Sequence, residues 1–191
     1  MGREFELKYA ADRAALEALR LRYPNLSPIA METTYYDAPD HALSSRHWTL
    51  RRRMENGISV CTLKTPLPDG SRGEWEVECG DILGGIDALC RAGAPAELLR
   101  FTAGGVTEVC AARFTRLAAP IALEGCTVEL ALDAGSLFGG GKELPFAEVE
   151  VELKDGDQET AVIFAGMLAA EFGLKRESKS KFARAMELAK R

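Results

Sequence analysis

The N-terminal segment Glu4-Phe5-Glu6-Leu7-Lys8 places charged side chains at alternate positions. Because successive side chains of a β-strand point to opposite faces, Glu4, Glu6 and Lys8 share one face of a strand. Two carboxylates beside an ammonium group can hold a hard metal cation and contact an anion on the same face. One such strand is also typical of an ordinary solvent-exposed sheet, so the functional interpretation requires the pattern to recur.

Five further segments repeat this alternation of charged and apolar residues. Their charged positions are mostly Glu and Arg, whereas a random surface would also carry many Ser, Thr, Gln and Lys residues. We therefore predict that the charged faces line a common interior surface. The segments are residues 49–53, 60–64, 72–78, 129–133 and 148–152.

Acids outnumber bases on these faces, and burying unbalanced charge is costly, so divalent cations would supply the missing positive charge. Arg and Lys bind phosphate oxygens, and Glu oxygens suit Mg²⁺ or Mn²⁺. The pattern predicts a polar-lined barrel whose bases bind a ligand with several phosphates and whose carboxylates hold Mg²⁺ or Mn²⁺. A sheet with its charged faces in solvent is the alternative interpretation.

Turn and capping signals indicate how these segments are connected. Asn56-Gly57 is the strongest short hairpin signal in the chain. The segment Gly139-Gly140-Gly141 indicates a hairpin connection, because it lacks the lysine and hydroxyl groups of a nucleotide P-loop. Helices are predicted to begin after Asp12, Asp157 and Ser178, each of which can cap a helix N-terminus. About eight strands joined mostly by short turns indicate a barrel or a sandwich.

Strand parity leaves two points open. Arg113 and Arg116 have opposite parity, so only one of them can face the interior unless a bulge intervenes. We expect Arg116 to do so. Trp75 and Val77 lie on the predicted outer face, which helices or a second subunit would cover. A homodimer is therefore possible.

Composition limits the class of protein. The chain has 191 residues, 47% of them hydrophobic, and a net charge of −5, which is ordinary for one globular domain spanning residues 1–191. We expect a cytoplasmic protein with no nucleic acid as main partner and no membrane association. The five cysteines show no metal-binding spacing, and we interpret them as small buried hydrophobic residues rather than zinc ligands or disulfides.

The order of these motifs resembles the CYTH family, the triphosphate tunnel metalloenzymes. Residues 4–8 resemble its ExExK signature, and residues 50–53 resemble its LRxR strand. Tyr35-Tyr36-Asp37 resembles its tyrosine-aspartate turn. Residues 62–64 and 72–76 resemble its lysine strand and its RxExE strand. With the later acidic strands and Ser178-Lys179, the resemblance covers essentially the whole chain.

The resemblance implies an α+β fold: an eight-stranded antiparallel closed β-barrel that forms a tunnel, with a polar interior and peripheral helices. By position, Glu4, Glu6 and Lys8 would be catalytic. The expected ligands of the substrate phosphates are Lys8, Arg51, Arg53, Lys64, Arg72, Arg116 and Lys179. The expected ligands of Mg²⁺ or Mn²⁺ are Glu4, Glu6, Glu76, Asp133, Glu150 and Glu152.

Two positions depart from the family pattern. Ala38 stands where many relatives have threonine, and Arg46-His47-Trp48 is bulkier than the usual glycine-containing segment before LRxR. We expect the second departure to alter the mouth of the tunnel, and with it the choice of substrate.

The resemblance implies a small-molecule triphosphate substrate and favours hydrolysis of inorganic tripolyphosphate to pyrophosphate and phosphate. A class IV adenylyl cyclase is less favoured, because the His-Phe pair of cyclase relatives is absent from this sequence. Thiamine triphosphatase differs only in the leaving group. A polyphosphate-binding module without turnover would need only the bases, whereas here the carboxylate positions are filled as well.

Overall fold

The computed structural model describes residues 2–68 and 71–190, with side chains from residue 5 onward. Within this part of the chain, one antiparallel sheet of ten strands is flanked by five α-helices and a single turn of 3₁₀ helix, Ser44–Arg46. The strands are β1 Gly2–Glu4, β2 Glu6–Ala10, β3 Ser27–Asp37, β4 Thr49–Glu55, β5 Ile58–Pro66, β6 Arg72–Glu78, β7 Thr107–Leu123, β8 Cys126–Gly139, β9 Lys142–Gly156 and β10 Lys175–Arg176. The helices are α1 Arg13–Arg22, α2 Ile82–Arg91, α3 Glu97–Phe101, α4 Gln158–Phe172 and α5 Lys181–Lys190.

The order of the strands explains why ten are found where eight were predicted. The sheet runs β1-β6-β5-β4-β3-β7-β8-β9-β2-β10. The predicted first strand is divided at Phe5, because β1 pairs with β6 while β2 pairs with β9. At the break, the Phe5 carbonyl accepts a hydrogen bond of 2.9 Å from the backbone N–H of Leu153. The short β10 pairs with β2 and accounts for the other additional strand.

Several local predictions are confirmed. Asp12 and Asp157 cap α1 and α4, and each carboxylate accepts a hydrogen bond from the backbone N–H three residues later. Gly173 ends α4 in the left-handed conformation, with φ of 64°. Asn56 and Gly57 both have positive φ and connect β4 to β5 through a two-residue turn. These signals act within a few residues, so sequence alone suffices to locate them.

Four helices cover the outer face of the sheet with apolar side chains. Helices α2 and α3 pack on β5 and β6 around the buried Leu63, Trp75 and Leu89, so the expected cover over Trp75 is helical. Helices α1 and α4 pack on the other half of the sheet around Leu19 and Val149. None of the helices in the described residues combines the length and apolar composition needed to span a membrane.

Helix α5 packs on the opposite face of the sheet, against Leu137 and its neighbours. A Cβ atom at Gly139 would overlap the backbone carbonyl oxygen of Ala185 in α5, so the glycine-rich hairpin allows this close approach. The predicted cap of α5 was wrong by two residues. The hydroxyl of Ser180, rather than that of Ser178, accepts a hydrogen bond of 3.1 Å from the backbone N–H of Ala183.

The prediction that the cysteines form no disulfide was also wrong. Cys61 and Cys79 are bonded, with Cα atoms 6.0 Å apart. Cys61 lies on β5 and Cys79 directly follows β6, so the pairing of these two strands brings the thiols together. Cys90, Cys110 and Cys126 are free thiols. Burial raises the pKa of the Cys110 thiol to about 12.

Candidate functional site

A cavity of about 670 Å³ lies on the face of the sheet that α5 covers. Strands β2 to β9 and the first turn of α5 contribute its lining. Among the described residues, eight basic side chains line it: Lys8, Arg51, Arg53, Lys64, Arg72, Arg116, Lys154 and Lys181. Seven acidic side chains accompany them: Glu6, Glu55, Glu74, Glu76, Glu129, Glu150 and Glu152.

This balance corrects the expected excess of acid on the interior face. Bases exceed acids by one in the described lining, because Lys154 and Lys181 enter it while Glu78, Asp133 and Glu148 do not. The side chains of Asp133 and Glu148 are fully buried behind the lining. Counted over the described residues, the lining therefore has no net negative charge that would by itself require metal ions.

Four bases occupy neighbouring strands β4, β5 and β6, and we call Arg51, Arg53, Lys64 and Arg72 the basic wall. They point into the cavity because they occupy alternate positions of paired strands. Lys64 and Arg51 form ion pairs with Glu74 at 3.3 Å and 3.8 Å.

The remaining two bases of the basic wall also hold polar contacts. Arg72 donates a hydrogen bond of 3.3 Å to the Thr49 hydroxyl. Arg53 contacts Glu55 and lies 3.6 Å from Glu76. Burial lowers the pKa of the Arg53 guanidinium, and the neighbouring Arg51 lowers it further. An anion in the cavity would relieve this repulsion between the two arginines.

Arg116, and not Arg113, is the arginine of β7 that lines the cavity among the described residues. Arg113 is exposed and stacks over the Phe138 ring, 5.3 Å from its centroid. The Arg116 guanidinium donates two hydrogen bonds of 2.8 Å to Asp133 and also contacts Glu150. Arg116 therefore reaches the cavity, where its other terminal amine lies 3.8 Å from the Glu129 carboxylate.

Asp133, Glu148 and Glu150 form a buried cluster next to Arg116. One carboxylate oxygen from each lies within 4.8 Å of the others, a spacing that could hold a metal ion. Strand pairing explains the cluster, because Asp133 of β8 pairs directly with Glu148 of β9. Glu150 follows on the same face of β9.

Three cations surround the buried cluster. The ammonium of Lys181 lies 2.7 Å from Asp133 and 2.8 Å from Glu150, and it also contacts Glu148. Arg184 contacts Glu148 from the next turn of α5. Burial raises the pKa of Glu150, but Lys181 and then Arg116 outweigh it and hold that pKa well below its usual range. At Glu148, burial dominates and the pKa is raised.

The position of Lys179 differs from the prediction that it binds the substrate phosphates in the cavity. Its side chain is 53% exposed, and its ammonium donates hydrogen bonds of 2.7 Å and 3.0 Å to the Glu187 carboxylate. It does not line the cavity in the part of the chain that the structure describes. Lys181, two residues later, takes that place, because α5 begins at Lys181 and directs its first side chain inward.

Glu6, Glu129 and Glu152 form a second acidic group, which we call the carboxylate row. Glu6 of β2 pairs with Glu152 of β9, and Glu152 pairs with Glu129 of β8. Three carboxylates that face the cavity on neighbouring strands supply the oxygen donors that Mg²⁺ and Mn²⁺ prefer, so their chemistry suits such an ion. Among the described residues, it is the buried cluster that brings three carboxylates within 4.8 Å of one another. Lys154 lies 2.8 Å from Glu152 and 3.8 Å from Glu129. Lys8 lies 3.6 Å from Glu6.

The other expected metal ligands differ in position. Glu76 is on the basic wall's side of the cavity, where its carboxylate accepts a hydrogen bond of 3.1 Å from the Thr62 hydroxyl. Glu150 and Asp133 belong to the buried cluster. The side chain of Glu4 lies outside the described residues. The structure therefore brings Glu6 and Glu152 together, and it adds Glu129 to them.

Three charged residues of the cavity were not predicted as site residues from the sequence, namely Glu55, Lys154 and Lys181. The signal for the first two was present, because Glu55 continues the alternation of Arg51 and Arg53, and Lys154 continues that of Glu152. Lys181 could not be located in this way, since its orientation depends on where α5 begins.

The segment before β4 that departs from the family pattern lies outside the cavity lining described here. Trp48 packs edge-on against Phe101 with ring centroids 5.3 Å apart, and Arg46 stacks over the same ring at 4.4 Å. His47 adopts a φ of 59°, a left-handed conformation that favours glycine. Ala38 donates its backbone N–H to the buried Asp37 carboxylate, so its side chain has no part in that contact.

The CYTH domain matches residues 2–186 of this sequence. The chain belongs to the CYTH family. Over 152 residues, this CYTH chain is 30% identical to inorganic triphosphatase of Haemophilus influenzae. That alignment covers 78% of the chain but only 43% of the relative, so the chain spans less than half of the relative's length.

Solved structures share the fold of this CYTH chain. PH1819 protein from Pyrococcus horikoshii superposes with a TM-score of 0.63 at 25% identity, covering 97% of this chain and 99% of that one. A putative adenylate cyclase from Bacillus halodurans superposes with a TM-score of 0.67 at 19% identity, covering 94% and 96%. At such identity, the second likeness concerns the fold alone.

Proposed function

We propose that this CYTH chain is a metal-dependent triphosphatase that hydrolyses inorganic tripolyphosphate to pyrophosphate and phosphate. The observation that carries the proposal is the arrangement of the cavity, in which the basic wall and the carboxylate row share one space. The name of the Haemophilus influenzae relative supports tripolyphosphate as the substrate.

The basic wall would bind the phosphate chain. A tripolyphosphate carries several negative charges over three phosphates, and arginine guanidinium groups match phosphate oxygens with paired hydrogen bonds. Lys64 would act as a point charge between Arg51 and Arg72. Substrate binding replaces the contacts of these bases with Glu74 and Thr49 by stronger contacts with phosphate.

The carboxylate row would hold Mg²⁺ or Mn²⁺, with Glu4 as a further ligand proposed from the family pattern. When bound, the ion neutralises phosphate charge and lowers the pKa of a coordinated water. Lys154 is 42% exposed at its side chain, so it can swing into solvent and release Glu152 for the ion, while Arg116 remains 3.8 Å from Glu129.

Hydrolysis requires a water to attack the terminal phosphorus. The new bond forms from the water oxygen to phosphorus, and the bond from phosphorus to the bridging oxygen breaks. Its electron pair leaves with pyrophosphate, and the proton of the water passes to solvent. Lys8, beside Glu6, would neutralise charge on the terminal phosphate. Orientation and charge neutralisation would supply most of the rate enhancement.

We further propose that the sheet closes into a tunnel around Phe5. The strands on either side of Phe5 pair with β6 and β9, which belong to opposite ends of the strand order. In this arrangement, the basic wall and the carboxylate row face each other across a common lumen, as a bound phosphate chain requires.

The test is product formation from tripolyphosphate, thiamine triphosphate and ATP, with Mg²⁺, with Mn²⁺ or with chelator. We expect metal-dependent release of phosphate and pyrophosphate, fastest from tripolyphosphate. If thiamine triphosphate is hydrolysed faster than tripolyphosphate, it would take the place of tripolyphosphate as the proposed substrate. Cyclic AMP formed from ATP would instead identify a cyclase, and tight binding of tripolyphosphate without turnover would identify a binding module.

A further inference from the structure

We propose that Lys181 is a built-in cation that fills the buried cluster of Asp133, Glu148 and Glu150 and so keeps divalent metal ions out of it. Metal binding would then be confined to the carboxylate row. The inference deepens the proposed function and rests on it in one respect, because it assumes that the cavity uses a divalent ion.

The position of the ammonium supports this role. The three carboxylates approach each other within 4.8 Å, close enough to share one metal ion. The Lys181 ammonium already contacts all three of them, at 2.7 Å from Asp133 and 2.8 Å from Glu150 and in contact with Glu148. The ammonium donates a hydrogen bond of 2.8 Å to Glu150 and forms ion pairs with Asp133 and Glu148.

The charges of the cluster are balanced without a metal ion. Arg116 binds Asp133 through two hydrogen bonds, Arg184 contacts Glu148, and Lys181 adds the third positive charge. A divalent ion would have to displace one of these cations and lose its own hydration shell. The exchange is unfavourable, because a buried cation that loses its partner becomes costly.

Packing holds Lys181 in place. It is the first residue of α5 and its side chain is 10% exposed. Its ammonium lies 4.9 Å from the centroid of the Phe114 ring, and the adjacent Phe182 packs on Tyr35 with ring centroids 5.2 Å apart. Moving the ammonium out of the cluster would separate it from all three carboxylates. Lys154, the ammonium beside the carboxylate row, has no such restraint, being 42% exposed.

The same contacts make Lys181 a positioning residue. It fixes Asp133 and Glu150, and these two carboxylates hold the guanidinium of Arg116 at the edge of the cavity. Without the lysine, the cluster would carry one excess negative charge and could accept a divalent cation in place of the ammonium.

The experiment counts Mn²⁺ ions bound per chain by electron paramagnetic resonance of the free ion, in protein stripped of metal. Removing the lysine in Lys181→Met should add one Mn²⁺ per chain relative to wild type. The additional ion should disappear in the double variant Lys181→Met/Glu148→Gln. Lys181→Arg and the matched control Lys190→Met, at the exposed end of the same helix, should bind as wild type does. Circular dichroism reports whether each variant folds.

A second measurement leaves the buried cluster intact. In the variant Glu129→Gln/Glu152→Gln, the tight Mn²⁺ site of wild type should be lost. A tight Mn²⁺ that remains in this variant, or a Lys181→Met protein that folds and gains no ion, would overturn the inference. The number of bound Mn²⁺ ions can be measured without substrate turnover. Absence of triphosphatase activity would therefore refute the proposed function, whereas the Mn²⁺ count would still test the role of Lys181.

Discussion

Gly85 of α2 lies directly on the side chain of Cys61 in β5. A Cβ atom at Gly85 would be 2.8 Å from the Cys61 Cβ and closer still to its sulfur. This contact sets how near α2 approaches the two strands that carry Lys64 and Arg72. The preceding Gly84 is exposed, and an added Cβ would meet only the Asp81 carboxylate, at 3.5 Å.

The two glycines should therefore respond oppositely to alanine. Gly85→Ala should lower the free energy of unfolding by about 1–3 kcal/mol, because overpacking displaces the helix. Gly84→Ala should raise it by up to about 1 kcal/mol, since alanine is the better helix former. Urea unfolding measures both. Equal effects of the two substitutions would contradict the packing of α2 on Cys61.

The disulfide between Cys61 and Cys79 predicts how many cysteines react with a thiol reagent before and after reduction. In denatured protein that has not been reduced, iodoacetamide should label the three free cysteines, Cys90, Cys110 and Cys126, and reduction should expose Cys61 and Cys79 as well. In native protein at pH 8, Cys110 should resist labelling, because it is buried and its pKa is about 12. Mass spectrometry measures the number of labelled cysteines per chain. Five reactive thiols before reduction would refute the disulfide. A cytoplasmic location, which the sequence predicts, would make such a bond unusual.

Arg51 should be required for substrate affinity, and its neighbour Arg52 should not. Arg51→Met removes a charged donor from the basic wall, so KM for tripolyphosphate should rise roughly 10- to 100-fold, the usual worth of a hydrogen bond to a charged group. Arg52 points to the other face, where its Nε donates a hydrogen bond of 2.8 Å to the Ser59 hydroxyl. Steady-state kinetics of Arg52→Met provides the control. Similar KM values in the two variants would remove Arg51 from the site.

Glu152 should control the affinity for metal. Glu152→Gln replaces a carboxylate of the carboxylate row by an amide of nearly equal volume, so Mn²⁺ should bind at least about 10-fold more weakly. The control is Glu143→Gln, an exposed acid on the same strand. Titration calorimetry with Mn²⁺ measures both. Unchanged affinity in Glu152→Gln would exclude this residue as a ligand.

Acid should destabilise the fold through Glu150. Its pKa is held below the usual 4.5 in the folded protein, so the unfolded chain binds the proton first as pH falls. The stabilisation from Glu150 is complete above about pH 4.5 and is lost below it, with a slope of up to about 1.4 kcal/mol per pH unit. Urea unfolding from pH 6 to pH 3 measures this slope. The slope of the unfolding free energy against pH should be smaller in Glu150→Gln, even though that variant is less stable at every pH.

The parts of the fold that sequence predicted are those set by neighbouring residues. Asp12 and Asp157 were identifiable as caps because a carboxylate satisfies N–H groups two or three residues away. The repeat Ser178-Lys179-Ser180-Lys181 offers the same cap and the same base twice. Local chemistry cannot choose between the two copies, and only the packing of α5 against the sheet does so.

The candidate site was predictable where strand alternation fixed the direction of a side chain. The basic wall and two members of the carboxylate row follow from parity within single strands. The buried cluster could not be predicted from strand alternation, because its ion pairs depend on Lys181, which α5 brings to the sheet. The disulfide was missed for a similar reason, since the register of β5 against β6 is a tertiary property.

The division of the first strand at Phe5 has a consequence for the order in which the protein can fold. Residues 6–10 are made before their partners, residues 148–152, and most of this chain separates the two segments. Strand β2 must therefore wait for its partner β9 while the hairpins between β3 and β9 form. Such late contacts of high sequence separation slow folding and leave strand edges exposed to other chains. Synthesis rate and chaperone supply should therefore affect the yield of this protein.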